Sequence, residues 1–247
     1  MHEQHVDIET ADGRMDTFVT HPDGAGPYPA VILLMDAPGI REELYQFARR
    51  VGTVGYSCVV PDLYYRLGKK RWDLSRVDDA MRGDYLGAMA TLSNGMVMDD
   101  TRAILNFLDG QPAVAPGPKG TMGYCMSGCF VLSAAGTFPE VFRATASYHG
   151  VRHVTDKEDS PHLLAGKFRG ELYCGFAEHD SHVPLEEVEA LGEALQGCAV
   201  THQLEVHPGT EHGYSFPERP AFELAAAERN WERTFAMFRR QLSGGPR

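Results

Sequence analysis

No apolar run in this chain of 247 residues reaches the length that crosses a bilayer. The longest aliphatic stretch, Ala30 to Met35, falls far short of the roughly 20 residues a spanning helix needs. The start, Met1-His2-Glu3-Gln4-His5, is polar, so no secretory leader is expected. Positive charge is scarce as well. Against 34 Asp and Glu there are 23 Lys and Arg, a net charge of −11. Such a chain repels nucleic-acid phosphates and anionic lipid, so neither nucleic acid nor membrane is expected as a partner. A small anionic substrate stays open, because a few arginines in a cleft can reverse the local field. Cysteines number five, an odd count without framework spacing, which points to reduced thiols and a cytoplasmic setting. No repeat, low-complexity tract or long linker appears. The length suits one domain over 1–247, with a frayed tail at 240–247.

What is present is an alternation of apolar runs and helical patterns. Strand-like runs occur at 16–20, 30–35, 56–60, 120–124, 144–148, 171–176 and 203–207. The middle ones are continuously apolar, as strands buried on both faces should be. Between them, Ile40, Leu44, Phe47 and Val51 share a helical face, as do Val97, Thr101, Ile104 and Leu108. Leu185, Val188, Leu191 and Leu195 form a third face. Leu224, Ala227, Trp231, Phe235, Phe238 and Leu242 form a last one, read as core. This pattern predicts an α/β fold, a mostly parallel central sheet with helices on both faces. The stretch from Gly68 to Leu92 is polar, then weakly helical, and reads equally well as an active-site wall or a solvated excursion.

One segment carries chemistry: Thr121-Met122-Gly123-Tyr124-Cys125-Met126-Ser127-Gly128-Cys129-Phe130. It follows a β run and opens a helical one. A sharp strand-to-helix turn strains the residue at its tip and demands small neighbours two before and two or three after. Gly123, Ser127 and Gly128 meet that demand around Cys125. Backbone N–H groups at the helix start would lower the thiol's pKa and can stabilise an oxyanion. Ser127 is a rival nucleophile, but its neighbours at two removes, Cys125 and Cys129, fit the steric rule less well. Cys125 and Cys129 could also form a redox or metal pair, though the spacing is not Cys-x-x-Cys.

A nucleophile at such a turn needs an acid and a histidine further along, in that order. Asp180 falls in a loop after one strand-like run, and His212 in the loop after the last. His179 and His182 flank Asp180 and allow a metal reading, but the spacing is loose and implies no second ligand group. No metal and no organic cofactor are expected.

With these residues in view, the chain resembles the dienelactone hydrolase (carboxymethylenebutenolidase) family of the α/β-hydrolase superfamily, from about Val31 to Phe238. The specific pieces are Val31 to Ile40, Val60-Pro61-Asp62-Leu63-Tyr64, Gly123 to Gly128, Asp180-Ser181-His182-Val183-Pro184, and His212. The resemblance implies an α/β-hydrolase fold and a triad of Cys125, Asp180 and His212. It implies an oxyanion hole from the N–H groups of Met126 and Ala37. It places Asp36 where the family has a glutamate that engages the resting thiol, and Tyr85 at a substrate-pocket tyrosine. The chain departs from the family in three further places. Ser127-Gly128 replaces Gly-Gly, Met81 stands where an arginine is expected with Arg82 beside it, and the usual arginine after the histidine is missing. The implied activity is hydrolysis of a small-molecule ester or lactone. A thioesterase or broad carboxylesterase, and a non-catalytic binding protein, are the alternatives.

Overall fold

The computed structural model describes residues 1–242, and the chain divides into two compact units, Met1–Pro116 and Gly117–Arg247. The first unit holds strands β1 (His2–Thr10), β2 (Gly13–His21), β3 (Ala30–Leu34) and β4 (Ser57–Pro61), in the spatial order β1-β2-β4-β3. β1 and β2 form an antiparallel hairpin, β2 runs antiparallel to β4, and β3 runs parallel to β4. β3 and β4 are buried along their whole length, as their unbroken apolar sequence predicts. β1 is not among the strands expected from sequence. Its residues His2-Glu3-Gln4-His5-Val6-Asp7-Ile8-Glu9-Thr10 bury only Ile8, so an exposed edge strand leaves almost no hydrophobic trace.

Helix α1 (Glu42–Thr53) turns Leu44, Phe47, Ala48 and Val51 inward, with Glu42 and Glu43 in its first turn, where the helix dipole favours acidic groups. Ile40, expected on that face, precedes the helix and is buried in the turn before it. The 68–92 stretch contains a short 3₁₀ turn and helix α2 (Asp79–Ala90), which is capped by the Asp78 carboxylate and buries only Ala88. Helix α3 (Asn94–Asp109) is capped by Ser93 and buries Val97, Thr101, Ile104 and Leu108.

The second unit is a fully parallel set, β5 (Lys119–Tyr124), β6 (Phe142–Tyr148), β7 (Glu171–His179) and β8 (Thr201–Glu211), in sequential order. Helices α4 (Ser127–Thr137), α5 (Leu185–Leu195) and α6 (Leu224–Gln241) follow β5, β7 and β8. α4 is buried from Ser127 to Gly136, which explains why it shows no polar face in the sequence. Arg240 and Gln241 belong to α6, and the rest of the expected frayed tail lies outside the described residues beyond Leu242. Within the described residues no helix is long and apolar enough to cross a membrane.

Candidate active site

β5 enters α4 through Cys125 and Met126 alone. Cys125 has φ 52°, the left-handed region that costs a non-glycine residue about 1–2 kcal/mol. Hydrogen bonds hold it there. Its N–H donates to the Tyr148 carbonyl at 3.1 Å, and its own carbonyl accepts from Gly128 and Val151, both at 3.0 Å. The small neighbours have a steric cause. A Cβ on Gly123 would lie 2.9 Å from Ser127 Cβ and from Val131 Cγ1. One on Gly128 would lie 2.5 Å from the Gly150 Cα. Cys125 is partly exposed, whereas the rival Ser127 is fully buried. Cys129 is buried too; its thiol donates to the Met126 carbonyl, and burial pushes its pKa up to about 12. Met126 is buried at the N-cap of α4.

Strand register brings the acid and the histidine together. His179 of β7 pairs with Glu211 of β8, so Asp180 and His212 are the first residues beyond the ends of neighbouring parallel strands. His212 Nδ1 donates to Asp180 Oδ2 at 2.7 Å, and Asp180 Oδ1 accepts from the His182 N–H at 2.8 Å. Burial opposes charge on His212, but the interactions with Asp180 and Cys125 outweigh it and raise its pKa to about 9. Cys125 is near enough to contribute to that rise. Yet His212 Nε2 is buried without a hydrogen-bond partner among the described residues. His179 is exposed and faces Glu178, while the His182 ring packs edge-on against His212 at 4.8 Å between centroids. Neither takes the place of His212 beside Asp180.

The loop after His212 is anchored from behind. Asn230 of α6 donates to Tyr214 at 3.0 Å and Ser215 at 3.1 Å, and accepts from Tyr173 of β7 at 2.9 Å. Two residues of this unit escaped sequence reasoning. Arg219 stacks over the Phe216 ring at 4.5 Å. His149, directly after β6, packs against His212. The one signal for His149 was a histidine-glycine pair at the end of an apolar run.

In the first unit, Asp36 is fully buried and both its oxygens accept from Arg41, at 2.6 and 3.3 Å. Arg41 also reaches Glu43 at 2.6 Å. The Asp36 carbonyl accepts from Gly39, closing a turn over Ala37-Pro38, and the Ala37 carbonyl accepts from the Tyr64 hydroxyl at 2.8 Å. Tyr85 is half-buried and meets the edge of Trp72, which in turn meets Tyr64. The Trp72 indole donates to Asp84. Arg82 is exposed and makes no ion pair among the described residues.

Comparison with known proteins places this geometry. The chain has the α/β-hydrolase fold. It matches the model of the dienelactone hydrolase family over residues 15–242, and it belongs to that family. A protein of Synechocystis sp. named "putative carboxymethylenebutenolidase" is 26% identical over 240 residues, covering 96% of each chain. Two solved structures share the fold. A "putative dienelactone hydrolase" from Klebsiella pneumoniae has TM-score 0.85 at 21% identity, over 96% of this chain and 98% of that one. A dienelactone hydrolase-like promiscuous phosphotriesterase from metagenomic libraries has TM-score 0.79 at 19% identity, over 98% and 99%. The family points to a hydrolase acting on a small-molecule lactone or ester.

Proposed function

We propose that this protein hydrolyses a carboxylic ester or lactone through an acyl intermediate on Cys125. The observation that carries this reading is His212, bound to Asp180 at 2.7 Å with its pKa raised by Asp180 and Cys125 together. An imidazolium beside a sulfur at a helix start favours the thiolate, which is the nucleophilic form. The thiolate attacks the carbonyl carbon; a C–S bond forms and the carbonyl electron pair moves onto oxygen. The Met126 N–H receives that charge. Collapse breaks the C–O bond, and the leaving alkoxide takes the His212 proton. Neutral His212 then removes a proton from water, whose oxygen attacks the acyl carbon. The C–S bond breaks, releasing the carboxylic acid and restoring the thiolate–imidazolium pair. Asp180 holds the ring in one orientation throughout.

The roles of Ala37 as second oxyanion donor, Asp36 as thiol gate, and Tyr85 and Arg82 as substrate contacts rest on the family resemblance. Free cysteines support a reducing, cytoplasmic setting. Met81, standing where the resemblance expects an arginine, favours a second reading on the same site: a broad carboxylesterase or thioesterase with weak demand for a substrate carboxylate. The experiment is a panel of lactones, esters and thioesters, with and without a free carboxylate, run on wild type and Cys125→Ala. The proposal expects lactone or ester turnover, at least about 10³-fold lower in the variant, and an acyl adduct on Cys125 in quenched reactions. Turnover retained by Cys125→Ala overturns it.

A further inference from the structure

The end of β6 lies between the nucleophile and the base, and it carries a histidine the proposed mechanism does not use. Tyr124 of β5 pairs with Tyr148 of β6, so Cys125 and His149 are register neighbours one step beyond the ladder. Both have left-handed backbones, φ 52° and φ 37°. Tyr148 and Val151, on either side of His149, supply the bonds to the Cys125 N–H and carbonyl. The His149 N–H donates to the Gly175 carbonyl of β7 at 2.7 Å, which fixes the segment on its other side. Gly150 packs backbone to backbone on Gly128 at the head of α4.

The His149 ring is fully buried. It meets His212 edge-on at 4.9 Å between centroids, and Tyr214, Phe216 and Tyr124 at 5.4, 5.6 and 6.0 Å. Neither of its nitrogens has a hydrogen-bond partner among the described residues. A buried polar group left unpaired costs stability, so packing alone does not account for an imidazole there. Burial, then the charges of His212 and Arg219, push its pKa well below the usual histidine range. The ring therefore stays neutral beside a protonated His212.

We propose that His149 is a positioning residue: its ring is the spacer that sets the distance between the Cys125 sulfur and the His212 imidazole. One short segment grips the nucleophile's backbone at Tyr148 and Val151 and backs the His212 ring in between. A displacement of that ring is thus a displacement of the base relative to the thiol. The exposed His182 ring also meets His212 edge-on, at 4.8 Å between centroids, so two imidazoles, one buried and one exposed, pack against it.

The inference rests on Cys125 and His212 being the reacting pair, so Cys125→Ala is measured alongside. Two variants separate ring from nitrogens. His149→Asn tolerates positive φ and removes the ring. His149→Phe keeps a ring and removes the unpaired nitrogens. The expected result for His149→Asn is kcat/KM at least about tenfold lower, with the pH profile of Cys125 alkylation displaced to higher pH because the His212 imidazolium loses its placement beside the sulfur. The folded fraction should account for none of the loss. His149→Phe should lose less than His149→Asn. Folded His149→Asn with wild-type rates and an unmoved alkylation profile overturns the proposal. So does a folded His149→Phe that is the worse of the two, since the nitrogens rather than the spacing would then matter. Should one variant not fold, the other decides against the same wild-type profile. Activity surviving in Cys125→Ala would remove the reacting pair itself, and the spacer with it. Loss there with wild-type behaviour in the His149 variants would remove the spacer alone.

Discussion

Asp180 and His212 are joined at 2.7 Å because His179 and Glu211 pair one step earlier in the same parallel ladder. Register, not loop flexibility, fixes their meeting. The consequence is visible in pH dependence. The folded pKa of His212, about 9, lies above the ordinary histidine value. Stability from this pair is therefore fully present below about pH 6.5 and is lost as pH rises through about 9. Thermal unfolding of wild type should show a declining midpoint across that window, and Asp180→Asn should flatten it. The same substitution should lower kcat by about 10²- to 10⁴-fold, because the ring loses its orienting partner. An unchanged pH–stability curve in Asp180→Asn would break the link.

Cys125 should be the cysteine that iodoacetamide labels first. Cys58, Cys129 and Cys174 are buried and burial raises their thiols, and the partly exposed Cys198 thiol donates to the Ala194 carbonyl, whereas Cys125 is partly exposed at a helix start. Peptide mapping after brief alkylation checks this order. The backbone adds a second expectation. At φ 52° alanine is strained and glycine is not, so Cys125→Gly should unfold later than Cys125→Ala by about 1 kcal/mol. Equal midpoints would argue that the elbow relaxes when the thiol is removed.

Gly128→Ala should fail for a backbone reason. Its Cβ would sit 2.5 Å from the Gly150 Cα and 2.9 Å from His153 Nε2, and backbone cannot move aside as a flexible side chain can. A cost of about 3 kcal/mol is expected, with activity falling further than the folded fraction because the elbow shifts. Denaturation and kinetics on the same preparation separate the two losses.

Asp36→Asn should destabilise the protein by about 3 kcal/mol, since it removes the buried carboxylate that pairs with the Arg41 guanidinium alongside Glu43. Chemical denaturation reads this directly. If Asp36 also restrains the thiol, as the family resemblance implies, the alkylation rate of Cys125 in folded Asp36→Asn should rise at neutral pH while turnover falls. A stability loss with an unmoved alkylation rate would leave Asp36 as the partner of Arg41 alone.

The amino-acid sequence by itself determined the elements whose signals are local. β3 and β4 are short, largely apolar runs, the composition that favours strands buried on both faces. The elbow around Cys125 was legible because its steric demands fall within the six residues from Gly123 to Gly128. The order of Cys125, Asp180 and His212 was legible because parallel strands deliver their C-terminal loops to one edge. Tertiary structure alone decided the rest. An exposed edge strand such as β1 carries no hydrophobic pattern to read. Which of His179, His182 and His212 takes the Asp180 carboxylate depends on the β7–β8 register, which local sequence does not encode. The pairing of Asp36 with Arg41 depends on how the turn at Gly39 folds back. His149 looked like one histidine among eleven, and only the packing of β6 between its neighbours puts its ring against His212. Burial and long-range pairing are properties of the packed chain, and single residues announce neither.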